Sequence, residues 1–404
     1  MTSSLSQLGL LLFVSALVAM LTRRLRMPYT VGLALAGMGL YFLPTHVEMQ
    51  LSKELIFNIF LPPLVFEAAL YIRWPELKKN LLVIGALATV GVMLAAAVTA
   101  IGMHAATNWS WGSAAVFGVL IAATDPVSVI ATFKEAGVHG RLRVLVEAES
   151  LLNDGTAAVA FTVALGVATA ASSDLTQIGI AVVQTIGGGV LCGGIVAAAL
   201  MLLAGRTTDH LVEITFTTLA AYGSFLLAEH FHLSGVLAAL TAGLVVGNYG
   251  AVGSLSADGR NAVESFWEYV AFVANSLIFL LIGTRVAQEH FGVMWLPALA
   301  AIAIVTLGRA VAIYPICAVF ARSSSRVDIR HQHVLFWGGL RGALALALAL
   351  GLPPTFPHYN ELLAATLAVV AFSIFVQALT MTPVLRKLGQ LRGVSATSHG
   401  ASRP

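Results

Sequence analysis

The segment Glu149-Ser150-Leu151-Leu152-Asn153-Asp154-Gly155 sets two carboxylates, a hydroxyl and a carboxamide inside an otherwise apolar run. Thr124-Asp125-Pro126 adds a third carboxylate to the apolar run before it. A charged side chain at the centre of a bilayer costs roughly 2.5–3.5 kcal/mol on insertion scales, so such residues mark functional sites by default. Oxygen groups with no thiolate or imidazole cluster beside them suit a hard cation such as sodium or lithium, not a transition metal. Burial disfavours the ionised form of a carboxyl group, so a proton can compete with a cation for the same oxygens. The chemistry expected here is reversible binding of a small cation and a proton.

Helical geometry groups these residues. At 100° per residue, Glu149, Ser150, Asn153 and Asp154 fall at about 0°, 100°, 40° and 140°, an arc that can face one cavity. Asp154 and Asn153 then lie at the front and Glu149 one turn away, needing its own counter-charge. Arg341 is the expected partner of Glu149, since a buried guanidinium must be paired and meets a carboxylate through two parallel bonds. The alternative pairing, Arg341 with Asp154, would leave Glu149 as the carrier. Glu67, which follows Pro62-Pro63, is a further buried carboxyl, with Arg73 near enough in sequence to neutralise it at the membrane edge.

Long apolar segments must position these groups. The chain is 58% hydrophobic and only 10% charged, against roughly 25% charged in a soluble domain. The expected fold is an all-α polytopic membrane protein. About thirteen spans are predicted, near 5–22, 28–44, 54–72, 79–103, 111–133, 141–171, 176–204, 211–229, 233–248, 264–284, 292–321, 333–352 and 361–385. Cytoplasmic loops are enriched in Lys and Arg. With the N-terminus outside and the C-terminus cytoplasmic, all but four of the 22 Lys and Arg fall on the cytoplasmic side. The exceptions are Lys53 and Arg285 on the opposite side and Arg309 and Arg341 within spans, Arg309 with no partner that the sequence names. The first span is not a cleavable signal, since its positive charges follow the apolar run. The expected location is the cell membrane, with multiple crossings and a short polar tail over 389–404.

Two spans depart from continuous helix. Pro126 removes a backbone donor in the fifth, and Trp337-Gly338-Gly339-Leu340-Arg341-Gly342 loosens the twelfth. They run in opposite directions, each the middle of a three-span group, and interrupted helices at matching positions of inverted halves point to a midplane site in secondary transporters. The sequence thus predicts two inverted repeats with crossed broken helices. Small residues such as Gly187-Gly188-Gly189 and the alternation Ala343–Leu350 read as close helix packing, because an unpaired strand cannot cross a bilayer.

Other classes are disfavoured. Cys192 and Cys317 have no metal or disulfide spacing, and the histidines fall mainly in loops. No basic tract suggests nucleic acid. No nucleophile and base pair, metal cluster or phosphate-binding glycine loop suggests an enzyme, and no cofactor is implied. A cation channel or membrane pH sensor could use the same carboxylates, but neither needs two broken helices in inverted halves.

Four motifs in order carry a resemblance: Phe66-Glu67-Ala68-Ala69-Leu70, Ala123-Thr124-Asp125-Pro126-Val127, Glu149 to Gly155, and Trp337 to Gly342. Together they resemble the NhaP-type sodium/proton antiporters, the Asn-Asp branch of the cation:proton antiporters related to the sodium/hydrogen exchangers. Asn275-Ser276-Leu277-Ile278-Phe279-Leu280-Leu281-Ile282-Gly283 is similar to that family's tenth span.

The resemblance implies that Asp154 is the principal cation ligand and proton carrier. Ser150 and the carbonyl of Thr124 would complete the oxygen cage, and Glu67 would contribute directly or through water. Asn153 would hold the helix crossing through Thr124 or Asp125, and Asp125 would balance the helix ends and contribute less directly to binding. Glu149 with Arg341 would be the structural ion pair. A transmembrane exchanger domain would span 1–388. It would divide into a core (76–171 and 292–386), a dimerisation part (1–75 and 208–288) and a linking span (176–205), and the protein would be a homodimer in the bilayer. The long regulatory tail of the animal exchangers is not expected. Asn153 in place of a second aspartate implies one-for-one electroneutral exchange of sodium or lithium for protons. A potassium/proton antiporter of the same fold is the alternative.

Overall fold

The computed structural model describes residues 2–25, 27–42, 51–125, 127, 129–130, 133, 137–138, 140–169, 175–249, 255–289 and 295–390. Pro126, expected to break the fifth span, and the tail from 391 onward lie outside the described residues. The described residues form helices and no strands, as the apolar composition demands of a chain that must bond its backbone internally in lipid. In order they are α1 (Thr2–Leu25), α2 (Tyr29–Tyr41), α3 (Leu55–Leu70), α4 (Trp74–Thr107), α5 (Trp111–Leu120), α6 (Arg141–Thr169) and α7 (Leu175–Ala204). Then follow α8 (His210–His230), α9 (Gly235–Tyr249), α10 (Ala257–Gln288), α11 (Trp295–Val319), α12 (Ile329–Trp337), α13 (Ala343–Leu350) and α14 (Tyr359–Lys387).

Among the described residues, eight of these helices are long and apolar enough to cross a membrane, and α2, α3, α5 and α9 are shorter apolar helices. The predicted span at 333–352 is two helices, α12 and α13, separated by Gly338–Gly342. The helix that contains the predicted span 264–284 begins earlier, at Ala257. Ser256 caps α10 by accepting from the Gly259 N–H at 3.0 Å, and Asp258 sits in the first turn, where the helix dipole favours an acid. A capped helix continues into water past the point where hydropathy falls.

Packing groups the helices. α4 packs on α5, α6 and α11, while α14 packs on α11 and α13. Both ends of this group are tied. At one end Trp109 Nε1 donates to Glu361 at 2.6 Å and Ser113 Oγ to the Pro357 carbonyl at 3.1 Å. At the other, Arg141 donates to Asn80 Oδ1 at 2.7 Å and to the carbonyls of Arg326 and Ser325 at 2.8 and 3.0 Å. In a second group α2 packs on α10 and α1, and α9 packs on α3 and α8, with α7 against α8 and α9.

The contact of α2 with α10 is backbone to backbone. A Cβ at Gly37 would overlap the Leu280 carbonyl, and one at Gly283 would overlap that of Ala34. Neither carbonyl can move without breaking its helix. Gly283→Val is therefore expected to cost about 3 kcal/mol or more through overpacking, and size-exclusion chromatography in detergent should show the monodisperse peak lost. A retained peak with unchanged thermal stability would contradict this packing.

Candidate functional site

The two interrupted segments meet at their breaks. The Asp125 N–H donates to the Leu340 carbonyl at 2.8 Å, joining the segment that follows α5 to the one between α12 and α13. Asp125 Oδ1 accepts from the Val127 N–H at 2.9 Å, as a helix-capping aspartate does. Its carboxyl also lies against Gly342, the residue that opens α13, where a Cβ would collide with it. A carboxylate at a helix N-terminus is stabilised by the free N–H groups there.

α6 supplies the next layer. Asn153 is fully buried; its Oδ1 accepts from the Thr124 N–H at 3.1 Å, and its Nδ2 donates to Thr124 Oγ1 at 2.5 Å and to Glu149 Oε1 at 3.2 Å. Ser150 Oγ lies 3.0 Å from Thr124 Oγ1. The amide thus holds the unwound strand by both its donor and its acceptor, through Thr124 and not Asp125. Asp154 is one residue further on, 8% exposed, and its Oδ1 is buried without a hydrogen-bond partner among the described residues.

Asp154 itself stands on the wall of a cavity, with Oδ1 on its covered side. This cavity of about 360 Å³ is lined by Asp154, Thr124, Asp125 and Glu67, with Tyr29, Asn275 and the start of α13 also on its wall, and reaches the exposed Arg23 and Glu268. Of the residues singled out in sequence, Asp154, Thr124, Asp125 and Glu67 therefore share one cavity wall. Ser150 and Asn153 stand directly behind Thr124, and Glu149 is set back, 1% exposed. Arg73, the edge partner considered for Glu67, pairs with Glu76.

The expected pair of Glu149 with Arg341 does not form. Arg309 takes Glu149 instead, donating from Nη1 to Oε1 at 2.7 Å and from Nη2 to Oε2 at 2.9 Å, with a third bond from Nη2 to the Leu335 carbonyl at 2.9 Å. Nor does Arg341 form an ion pair with Asp154. Its Nη1 donates to the carbonyls of Ala122 and Ala123 at 2.7 and 2.9 Å. The reason is the break itself: where the chain unwinds after α5, carbonyls are left without intrahelical donors, and a cation at a helix C-terminus satisfies them. Arg341, in the unwound stretch of the other segment, is the side chain the crossing brings to them. Arg309, on the intact α11, meets a carboxylate that has no such competitor. Sequence reasoning also passed over Tyr29 and Glu268, and gave Asn275 no role beyond its motif.

Neither cysteine is near a second thiol, and no three His, Cys, Asp or Glu side chains among the described residues group as a resident metal centre would.

Comparison with known proteins agrees with this architecture. Residues 10–387 match the family described as "Sodium/hydrogen exchanger, transmembrane". The chain is 40% identical to the Na(+)/H(+) antiporter ApNhaP of Aphanothece halophytica over 367 residues, covering 90% of this chain and 70% of that protein. It is 34% identical to the Na(+)/H(+) antiporter NhaH of Halobacillus aidingensis, covering 95% and 97%. Among solved structures, the sodium proton antiporter of Methanocaldococcus jannaschii at pH 8 shares the fold with a TM-score of 0.75 at 21% identity, covering 95% of this chain and 98% of that one.

Proposed function

Because the chain belongs to the sodium/hydrogen exchanger family, we propose that it exchanges sodium or lithium for protons, one for one, by competition of the two cargoes for Asp154. The observation that carries this reading is Asp154 itself, a carboxyl on the wall of the cavity whose Oδ1 is buried without a partner among the described residues. A buried carboxylate oxygen left without a donor costs free energy that a bound proton or cation returns.

The charges around the crossing support the stoichiometry. At the crossing itself, leaving aside Glu67 on α3, two guanidiniums, Arg309 and Arg341, stand against three carboxyl groups, Asp125, Glu149 and Asp154. With all ionised, one negative charge is left over, which one proton or one monovalent cation neutralises. Asn153, where a second aspartate would add a charge, is engaged with Thr124 as a neutral amide must be. Ser150, the Thr124 carbonyl and Glu67 are the further oxygens we assign to the cation, with Asp125 nearby.

The protein is a multi-pass membrane protein. In our reading it crosses the membrane thirteen times, N-terminus outside and C-terminus cytoplasmic. The cavity, which ends at Arg23 and Glu268, then opens to the cytoplasm. The helices of 76–171 and 292–386, tied at both ends, move as one body against those of 1–75 and 208–288, with 176–205 joining them, and the latter part forms a homodimer. The hydrogen bonds that span the moving body, from Trp109 to Glu361 and from Arg141 to Ser325, support such motion.

The test is proton movement in proteoliposomes with an imposed pH gradient, adding sodium, lithium and potassium in turn while a voltage-sensitive dye reports potential. Sodium or lithium should collapse the gradient without generating a potential. Collapse by potassium alone would make the protein a potassium/proton antiporter. A potential generated by exchange would refute the one-for-one stoichiometry, and conductance without saturable exchange would make it a channel.

A further inference from the structure

A second polar group shares the cavity with Asp154, from another helix, and is used by nothing described so far. Asn275 of α10 lines the cavity and is 8% exposed, and among the described residues its carboxamide makes no hydrogen bond. An amide has the capacity for four hydrogen bonds, and the polar atoms of Asn275 are not among the buried unpartnered ones, so that capacity is open to the cavity. Its position in the helix sharpens the point. From α10 the wall receives Glu268, Ala271, Phe272 and Asn275. Glu268 is exposed at the mouth, and the Phe272 ring stacks on Tyr29 with centroids 6.0 Å apart. Asn275 is about two turns deeper than Glu268, or roughly 10 Å along the axis. Past the mouth, it is the polar side chain that α10 offers to the cavity.

The geometry points to Asn275 as a cation ligand contributed by the α2–α10 side of the cavity, whose amide oxygen faces the ion held by Asp154. This assignment rests on the exchange reading for the identity of the ion. A neutral oxygen donor suits a hard monovalent cation, and it leaves the charge count around Asp154 unchanged. Since Asn275 and Asp154 belong to different helix groups, the amide can ligate only in the conformation that apposes them, so it favours loading from the open end of this cavity.

Two readouts test it, with Asn275→Ala and Asn275→Asp compared with the unaltered protein. The first is stabilisation of detergent-solubilised protein by sodium chloride over choline chloride, which reports binding whether or not protons are exchanged. The second is the half-saturating sodium concentration for exchange in proteoliposomes. Asn275→Ala should raise that concentration about fivefold, as expected for loss of one neutral ligand, with a smaller change in maximal rate, and should shrink the sodium-specific stabilisation. Asn275→Asp should move both readouts the opposite way. A packing role would weaken both variants alike; that result, or no change in either, overturns the assignment. If the alanine chain does not fold, the sign of the aspartate effect decides alone. Sodium that binds the unaltered protein without moving protons would refute exchange and leave the Asn275 assignment standing. A protein that sodium does not stabilise would refute the assignment.

Discussion

Asp154→Asn abolishes sodium-dependent proton movement, by at least about 100-fold, while leaving the protein folded: this is the largest functional effect expected of any single substitution here. The magnitude has two sources: the charged ligand alone is worth roughly 1.5–3 kcal/mol, about 10- to 140-fold at 1.4 kcal/mol per tenfold, and an amide can neither take up nor release the proton that must be exchanged. The fold should survive because Asp154 is bound to nothing through Oδ1, and asparagine has the same shape. A melting temperature in detergent close to that of the unaltered protein, together with loss of exchange, is the expected pair of results. Competition makes a further demand on the unaltered protein. Where the empty site is mostly protonated, each unit fall in pH should raise the half-saturating sodium concentration about tenfold, since one proton must leave for one cation to bind. Coupled exchange retained by Asp154→Asn, or a half-saturation constant indifferent to pH, would remove Asp154 from the carrier role.

The largest stability effect is expected at the pair set behind the cavity. Glu149 and Arg309 are 1% and 7% exposed and meet through two parallel bonds. Removing one partner of a buried pair leaves the other charge unpaired, at a cost of about 3–5 kcal/mol. Glu149→Ala and Arg309→Ala should therefore each lower the melting temperature sharply or prevent recovery of folded protein. A double-mutant cycle separates this pair from the alternative. Glu149 with Arg309 should couple by more than about 1.5 kcal/mol, and Glu149 with Arg341 by less. Milder pairs such as Glu149→Gln and Arg309→Lys allow the cycle to be closed if the alanine variants do not fold. A stronger coupling to Arg341 would contradict the pairing described.

Much of the site was legible because lipid makes polarity conspicuous. Asp154, Asn153, Thr124 and Asp125 stood out as oxygens in apolar runs, and the cavity brings Asp154, Thr124 and Asp125 together. The break between α12 and α13 was legible from three glycines in five residues, over Gly338–Gly342. What the sequence did not reveal was which of two buried arginines serves Glu149. Arg309 and Arg341 look alike in one dimension, and the choice depends on carbonyls that exist only once the chain has unwound after α5. The start of α10 was not legible for a different reason: hydropathy locates the lipid boundary, whereas a helix ends where its backbone bonds and caps end. Asn275 was visible as a motif letter, yet its exposure to the cavity depends on how α10 rotates against α2.

The meeting of α2 and α10 at Gly37 and Gly283 bears on how the transport cycle can be shared between the two sides of the cavity. Backbones in direct contact have no side chains to slide or repack, so this wall keeps its shape throughout the rigid-body motion proposed above. Under that proposed motion, Tyr29, Phe272 and Asn275 would stay at a constant depth in the membrane while Asp154 would change depth. One ligand travels and the other does not, so the distance between them is the natural coordinate along which the site gains or loses its cargo.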